Sequence, residues 1–177
     1  MAEVSFFQFP EGNLSLPEHR LISVEAYERL LAQASKQDDF VYLGSIGGGN
    51  SRGAYTAFSA LAAETITEPF NQNRRSEPQL ISSAIERRAN AYARPGQQPF
   101  PVGGWVGFIS YEFGYDCEPR LAPLRRRLPL PLFNAGLYLW MAGLNRDSGQ
   151  YYLWVHPQCD EATRTRLQQW ETLPAGE

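Results

Sequence analysis

The stretch GGWVGFISYEFGYDCEP, residues 103–119, decides the expected fold because its apolar run follows a glycine pair and gives way abruptly to acidic and aromatic residues. Side chains of a β-strand alternate between two faces. Both faces are mainly apolar here, so we expect a central strand rather than an edge strand. Trp105, Gly107, Ile109 and Tyr111 share one face, and Val106, Phe108 and Ser110 share the other. We expect the glycines to permit close packing, and Trp105 and Tyr111 to fill the core.

Other segments predict partners for this strand. AGLYLWMAGL at 135–144 is also apolar on both faces, NRDSG at 145–149 supplies a turn, and QYYLWVH returns antiparallel, which predicts a hairpin. Phe40 to Ile46 and residues 54–62 predict a second β-pair, connected through the glycine-rich GGGNSRG. The pattern therefore indicates an α+β fold, a mainly antiparallel β-sheet with flanking helices.

Three helices are predicted from capping residues and apolar spacing. Ser23 begins the first, which runs to about Ala34. SEPQ at 76–79 has the form of a capping box, and RPG at 94–96 ends that helix. Cys159 or Asp160 opens the last. The expected apolar faces carry Ile81, Ile85, Ala89 and Tyr92 in the second helix, and Thr163, Leu167 and Trp170 in the last.

Length, composition and charge limit the class of protein. A chain of 177 residues predicts one domain over 1–177, with residues 172–177 resembling the start of an inter-domain linker. A net charge of −3 gives no electrostatic case for binding nucleic acid. No apolar run approaches the roughly 20 residues that span a bilayer, so we expect no membrane association. The two cysteines and the absence of a signal-peptide pattern favour a cytoplasmic protein.

The residues alone predict little catalytic chemistry. GGGNSRG lacks the Lys-Ser/Thr ending of a phosphate-binding loop and precedes a strand, which favours a flexible connection. The histidines and cysteines do not have metal-ligand spacing, so no metal site is expected. Glu112, Asp116 and Glu118 are either paired carboxylates or acids favoured by a helix dipole, and the second reading is the stronger.

Two runs carry a family resemblance. PFPVGGWVGFISYEFGYDCEPRL, followed by LPLPLFNAGLYLWMAGLNRDSGQYYL, resembles the N-terminal domain of aminodeoxychorismate (para-aminobenzoate) synthase component I and of the related anthranilate synthase component I. The family run P-F-x-G-G-x-x-G-x-x-x-Y-[DE] is matched with one extra residue after Phe100. The matching residues are Pro99, Phe100, Gly103, Gly104, Gly107, Tyr111 and Glu112, with Glu118 as the later acid. SYEFG followed by an acid is closer to the aminodeoxychorismate branch.

The resemblance implies a support domain of a folate-pathway transferase rather than a catalyst. In the family, a C-terminal domain binds chorismate and magnesium through T-G-A-P-K and D-L-x-R-N-D segments, and this chain has neither. No catalytic residue and no cofactor are therefore expected here. The implied partners are the C-terminal chorismate-binding domain and a glutamine amidotransferase subunit that supplies ammonia. Lys36, the single lysine, lies in a polar segment that would not lower an amine pKa.

The resemblance also implies an L-tryptophan site. Ser45 matches the serine of the family's L-L-x-S segment, Leu43 lies beside it, and Tyr55 falls near an aromatic wall. An ordinary strand-end serine is the competing interpretation of Ser45. Two other functions stay open: a stand-alone tryptophan-binding or regulatory module, and the anthranilate branch. If a missing half covers one sheet face, we expect an exposed apolar surface through which the chain forms a homodimer.

Overall fold

The computed structural model describes residues 18–44, 53–71, 78–89, 92, 101–118, 120 and 130–173. These residues form eight strands and four helices. The strands are β1 Glu18–Ile22, β2 Val41–Leu43, β3 Tyr55–Ser59, β4 Glu64–Glu68, β5 Gly104–Ile109, β6 Phe133–Tyr138, β7 Trp140–Asn145 and β8 Gln150–Val155. The helices are α1 Val24–Ala34, α2 Pro78–Ala89, α3 Phe113–Cys117 and α4 Glu161–Thr172. Within the described ranges, no helix is long and apolar enough to cross a membrane.

The strands make two antiparallel sheets. The five-stranded sheet has the order β1-β8-β7-β3-β2, and the three-stranded sheet has the order β4-β6-β5. Every strand pair is antiparallel. The mixed α and β architecture and the antiparallel pairing expected from the sequence are therefore confirmed.

A sharp bend joins the two sheets. The pair β3–β7 continues directly into the pair β4–β6, so two strands run from one sheet into the other. From Phe58 to Glu64 the chain takes six steps, while the facing chain takes five between Ala142 and Leu137. The extra residue is a bulge, the device by which strands turn a corner between packed sheets. Leu61, with φ of 57°, is the one non-glycine residue of positive φ in the described chain.

Helices α1 and α4 cover one face of the five-stranded sheet. Ser23 caps α1 by accepting a hydrogen bond from the Ala26 N–H, and Asp160 caps α4 by accepting from the Thr163 N–H. Both caps agree with the sequence prediction. Under these helices lies the main core, which includes Leu30, Phe58, Ala60, Trp140, Ala142, Leu153, Leu167 and Trp170. The rings of Phe58 and Trp140 meet edge to face with centroids 6.0 Å apart.

Three expectations about strands are corrected by the structure. β5 is an edge strand of the described three-stranded sheet, not a central strand, because it pairs only with β6 there. Tyr111 is 81% exposed and lies outside the core, whereas Trp105 packs against the main core. The predicted strand 135–144 is divided at Leu139, since β6 and β7 belong to different sheets. A strand with apolar residues on both faces, such as β5, can therefore be a half-buried edge strand.

The remaining expectations fall into two groups. The β2–β3 pair and the β7–β8 hairpin are confirmed, and Asn145 Oδ1 accepts from the backbone of the turn residues Asp147 and Ser148. In α2, Ile81 and Ile85 are half-buried, as their spacing predicts. The capping serine Ser76, most of the GGGNSRG loop, the RPG at 94–96 and the side chain of Ala89 lie outside the described residues.

Candidate functional site

Two of the three candidate tryptophan-binding residues lie on one face of the five-stranded sheet. Leu43 of β2 lies opposite Ala57 of β3, and Tyr55 lies two residues before Ala57 on β3. Since side chains alternate along a strand, Leu43, Ala57 and Tyr55 point to the same side of the sheet. Leu43 is 42% exposed and Tyr55 is half-buried. Ser45, the third candidate, lies outside the described residues.

This surface, called here the Trp154 face, is the side of the sheet opposite α1 and α4. Ala57, Met141 and Trp154 form a small buried cluster on it, and Val102 packs against that cluster. Trp154 is only 1% exposed, and its Nε1 has no hydrogen-bond acceptor in the described part of the chain. A buried donor without an acceptor costs free energy, so the Trp154 indole N–H is an unsatisfied donor on this face.

Two tyrosines give the Trp154 face an aromatic side. The Tyr55 ring meets the Tyr152 ring edge to face, with centroids 6.5 Å apart. The Tyr55 hydroxyl accepts a hydrogen bond of 3.2 Å from Asn145 Nδ2, and the Tyr152 hydroxyl donates to the Pro101 carbonyl at 3.3 Å. Burial is the main cause that raises the pKa of Tyr152 far above that of a free phenol, and the neighbouring Tyr55 adds to it. The pair therefore offers two aromatic rings whose hydroxyls are held by hydrogen bonds, which suits binding.

A concave surface lies on the three-stranded sheet. It is a groove of about 280 Å³ between that sheet and the segment that leads from α1 into β2. Its lining combines the small residues Gly107, Ala135 and Gly136 with the apolar Val41 and Phe108. The groove is lined by Asp38, Asp39, Phe40, Val41, Thr65, Val106, Gly107, Phe108, Asn134, Ala135, Gly136 and Tyr138.

The strongest polar contacts at the groove are already used to hold the fold. Asp39 Oδ1 accepts from the Leu61 N–H at 3.0 Å, and Oδ2 accepts from the Ala62 N–H at 2.5 Å. The Tyr138 hydroxyl donates to the Asp39 carbonyl at 2.7 Å. Burial and the Asp39 carboxylate raise the pKa of Tyr138 to about 12. Asp39 thus supports the bend between the sheets, and its carboxylate is not free for acid–base chemistry.

For the acids after β5, the paired-carboxylate interpretation stays a prediction. Glu112 is the N-cap residue of α3 but makes no side-chain capping bond, and α3 has only five residues. Glu118 Oε1 accepts from the Arg120 N–H at 3.2 Å. The side chain of Asp116 lies outside the described residues. No group of three or more His, Cys, Asp or Glu residues in the described segments could hold a metal ion.

Sequence reasoning named Tyr55 and Leu43 as candidates but missed Asp39 and Tyr138, two polar residues that line the groove. Asp39 and Tyr138 lie 99 residues apart and meet only because the chain bends between β6 and β7. The one local signal is the Asp38-Asp39 pair, which shortly precedes the apolar β2. Lys36, considered as an amine, is exposed in the turn after α1.

In comparisons with known proteins, no protein-family model and no curated protein matches this chain.

Proposed function

We propose that this chain is the N-terminal, non-catalytic part of an aminodeoxychorismate synthase component I. The proposal rests on one observation, the ordered pair of motif runs at residues 99–118 and 128–153. The runs supply β5 and β6–β8, and β5 pairs antiparallel with β6. Segments separated by a proline-rich stretch are thus neighbours in one sheet, as expected if the two runs describe a single architectural unit.

The motif glycines have a packing reason that supports the proposal. A side chain at Gly103 would meet the Tyr138 carbonyl and the Trp154 ring, and one at Gly107 would meet the Asn134 carbonyl and Ala135. These positions lack space for any side chain. Gly103 and Gly107 therefore reflect how closely this segment approaches its neighbours, whereas Gly104 has nothing within 4 Å and has a φ of 148°, which favours glycine.

In the proposed role, the chain supports an enzyme that makes 4-amino-4-deoxychorismate for folate synthesis. That enzyme takes chorismate together with ammonia from a glutamine amidotransferase subunit. Chorismate and magnesium would be bound by a C-terminal domain, because the segments that bind them do not occur in this sequence. The present chain would contribute scaffold, inter-domain surface and an amino-acid site.

The amino-acid site is proposed for the Trp154 face, with L-tryptophan as its ligand. Leu43 and Tyr55 share that face and are not fully buried, so a ligand ring can reach them. Aromatic rings meeting edge to face suit an indole. The unsatisfied Trp154 N–H would gain free energy from any ligand acceptor that reached it.

The reading frame of the gene tests the parent enzyme. If the proposal is correct, the frame continues beyond Glu177 into a segment containing T-G-A-P-K. A stop codon at that point would overturn it in favour of a stand-alone tryptophan-binding or regulatory module. With the frame open, strong inhibition of the full-length enzyme by tryptophan would favour the anthranilate branch instead.

Calorimetry tests the ligand. Tryptophan should release heat on binding to the purified chain, and Leu43→Ala, Ser45→Ala and Tyr55→Ala should each weaken it. Tyr42→Ala is the matched control, because Tyr42 neighbours Leu43 on β2 but points to the opposite face and is 53% exposed. Absence of heat at millimolar tryptophan, or equal loss in the control, would remove the site.

A further inference from the structure

β5 differs from every other edge strand of the two described sheets. An edge strand presents unpaired N–H and C=O groups, and proteins protect such edges with charge, short length or a covering element. β5 is six residues long, and its sequence GWVGFI contains no charged side chain and no proline. Phe108 and Ile109 on it are 42% and 63% exposed.

The other three edges show these protections. β1 carries Glu18 and Arg20 and is thereby charged. β2 has only three residues. On β4, the other edge of the same sheet, the backbone carbonyl of Thr65 accepts a 2.7 Å hydrogen bond from Arg88 of α2. Arg88 also pairs with Glu64 at 3.3 Å. Of the two edges of this sheet, β4 is therefore protected and β5 is not.

The hydrogen-bond pattern identifies the free backbone groups of β5. The Ser110 N–H donates to the Leu132 carbonyl at 2.8 Å, so Ser110 belongs to the set that bonds with β6. Inward and outward residues alternate in an antiparallel ladder. Trp105, Gly107 and Ile109 therefore direct their N–H and C=O groups away from β6. The close approach of Gly107 to Ala135 agrees with this assignment, because the Cα atoms of a non-hydrogen-bonded pair lie closer together than those of a hydrogen-bonded pair.

We propose that β5 pairs antiparallel with β5 of a second copy of this chain, with the two-fold axis at Gly107. This register aligns the outward groups of both strands. Gly107 faces Gly107 of the second copy, and Trp105 faces Ile109 on either side of the axis. The result is one continuous six-stranded sheet, β4-β6-β5 followed by the same strands of the second copy in reverse order.

In this register the side chains of the two β5 strands are complementary to one another. A large aromatic residue, Trp105, meets a β-branched one, Ile109, which is a favourable cross-strand pair. On the opposite face Val106 meets Phe108. The axis falls on glycine, and no like charges face each other because β5 has none.

Sedimentation and light scattering of the purified chain across the micromolar to millimolar range test the pairing. We expect a concentration-dependent dimer, and Ile109→Lys should raise its dissociation constant about tenfold or more. Leu21→Lys is the matched control, since Leu21 is 65% exposed on β1, an edge of the other sheet. This control should dimerise as the parent chain does, and circular dichroism should show both variants folded.

Amide hydrogen exchange gives a second measurement at the level of single residues. The N–H groups of Trp105, Gly107 and Ile109 should become protected as concentration rises, while other exposed amides stay unchanged. A strict monomer throughout the range would overturn the pairing, as would a dimer disrupted by Leu21→Lys and not by Ile109→Lys. Protection of the three amides in a monomer would also overturn it. None of these results bears on the proposed enzyme role, which the reading frame tests separately.

Discussion

Asp39→Ala is expected to destabilise the protein more than any other single change to an acidic side chain in the described structure. Both carboxylate oxygens accept backbone N–H groups of the bend, from Leu61 and Ala62. Leu61 has a positive φ, so its peptide geometry is already costly for a residue with a side chain. Alanine would leave both donors without this acceptor.

The magnitude follows from the two bonds. A hydrogen bond to a charged group contributes about 1.5–3 kcal/mol to stability. Asp39 is half-buried, so water replaces part of what is lost. We therefore expect Asp39→Ala to lower the free energy of unfolding by about 2–4 kcal/mol. For a chain of this size the melting temperature should fall by roughly 5–15 °C. Asp39→Asn keeps one acceptor oxygen and should lose about half as much.

Urea unfolding followed by tryptophan fluorescence provides the measurement. Asp38→Ala is the control, because Asp38 is the adjacent acid, is exposed and lines the same groove. A surface substitution of this kind should change stability by no more than about 0.5 kcal/mol. Equal unfolding midpoints for Asp39→Ala and Asp38→Ala would refute the claim that the carboxylate holds the bend.

Three further predictions concern other parts of the structure. Arg164 donates to the carbonyls of His156, Pro157 and Cys159, so Arg164→Ala should cost about 2–3 kcal/mol in urea unfolding, against little for the exposed Arg166→Ala. Gly107→Ala should cost about 3 kcal/mol because its methyl group has no space, whereas Gly114→Ala, with nothing within 4 Å, should be neutral or slightly stabilising. Burial, then the nearby Asp160, raises the pKa of Cys159 from 9.0 to about 11. The unfolded thiol ionises first, so stability should fall as pH rises from about 9 to 11, with a smaller slope in Cys159→Ala; an unchanged slope would contradict this.

Local signals in the sequence predicted the elements that depend on neighbouring residues. The caps Ser23 and Asp160 and the Asn145 turn are specified within a few residues, because each hydrogen bond closes over two or three positions. The apolar spacing of α4 predicted its buried side, with Leu167 and Trp170, for the same reason. Such interactions do not depend on how the strands are later arranged.

The arrangement of strands could not be predicted in the same way. Residues 135–144 have one continuous apolar pattern, yet the chain passes from one sheet to the other at Leu139. The period of two describes the faces of a strand and carries no information about which sheet it joins. The apolar faces of β5 likewise do not distinguish a central strand from an edge strand. Tyr111 was misplaced because alternation was continued past Ile109, where the strand ends.

The bend shows how tertiary structure assigns a role to residues that appear ordinary in sequence. Turning the paired strands leaves backbone groups that a straight ladder would have bonded, and buried groups of this kind need partners. The Ser59 hydroxyl donates to the Trp140 carbonyl at 2.7 Å, and the Trp140 Nε1–H donates to the Ala60 carbonyl at 2.6 Å. The Asp39 carboxylate accepts from the bend residues Leu61 and Ala62, and the Tyr138 hydroxyl in turn holds Asp39 by donating to its carbonyl. Tyr138 and Trp140 therefore act both as core rings and as donors on either side of the residue where the sheets part.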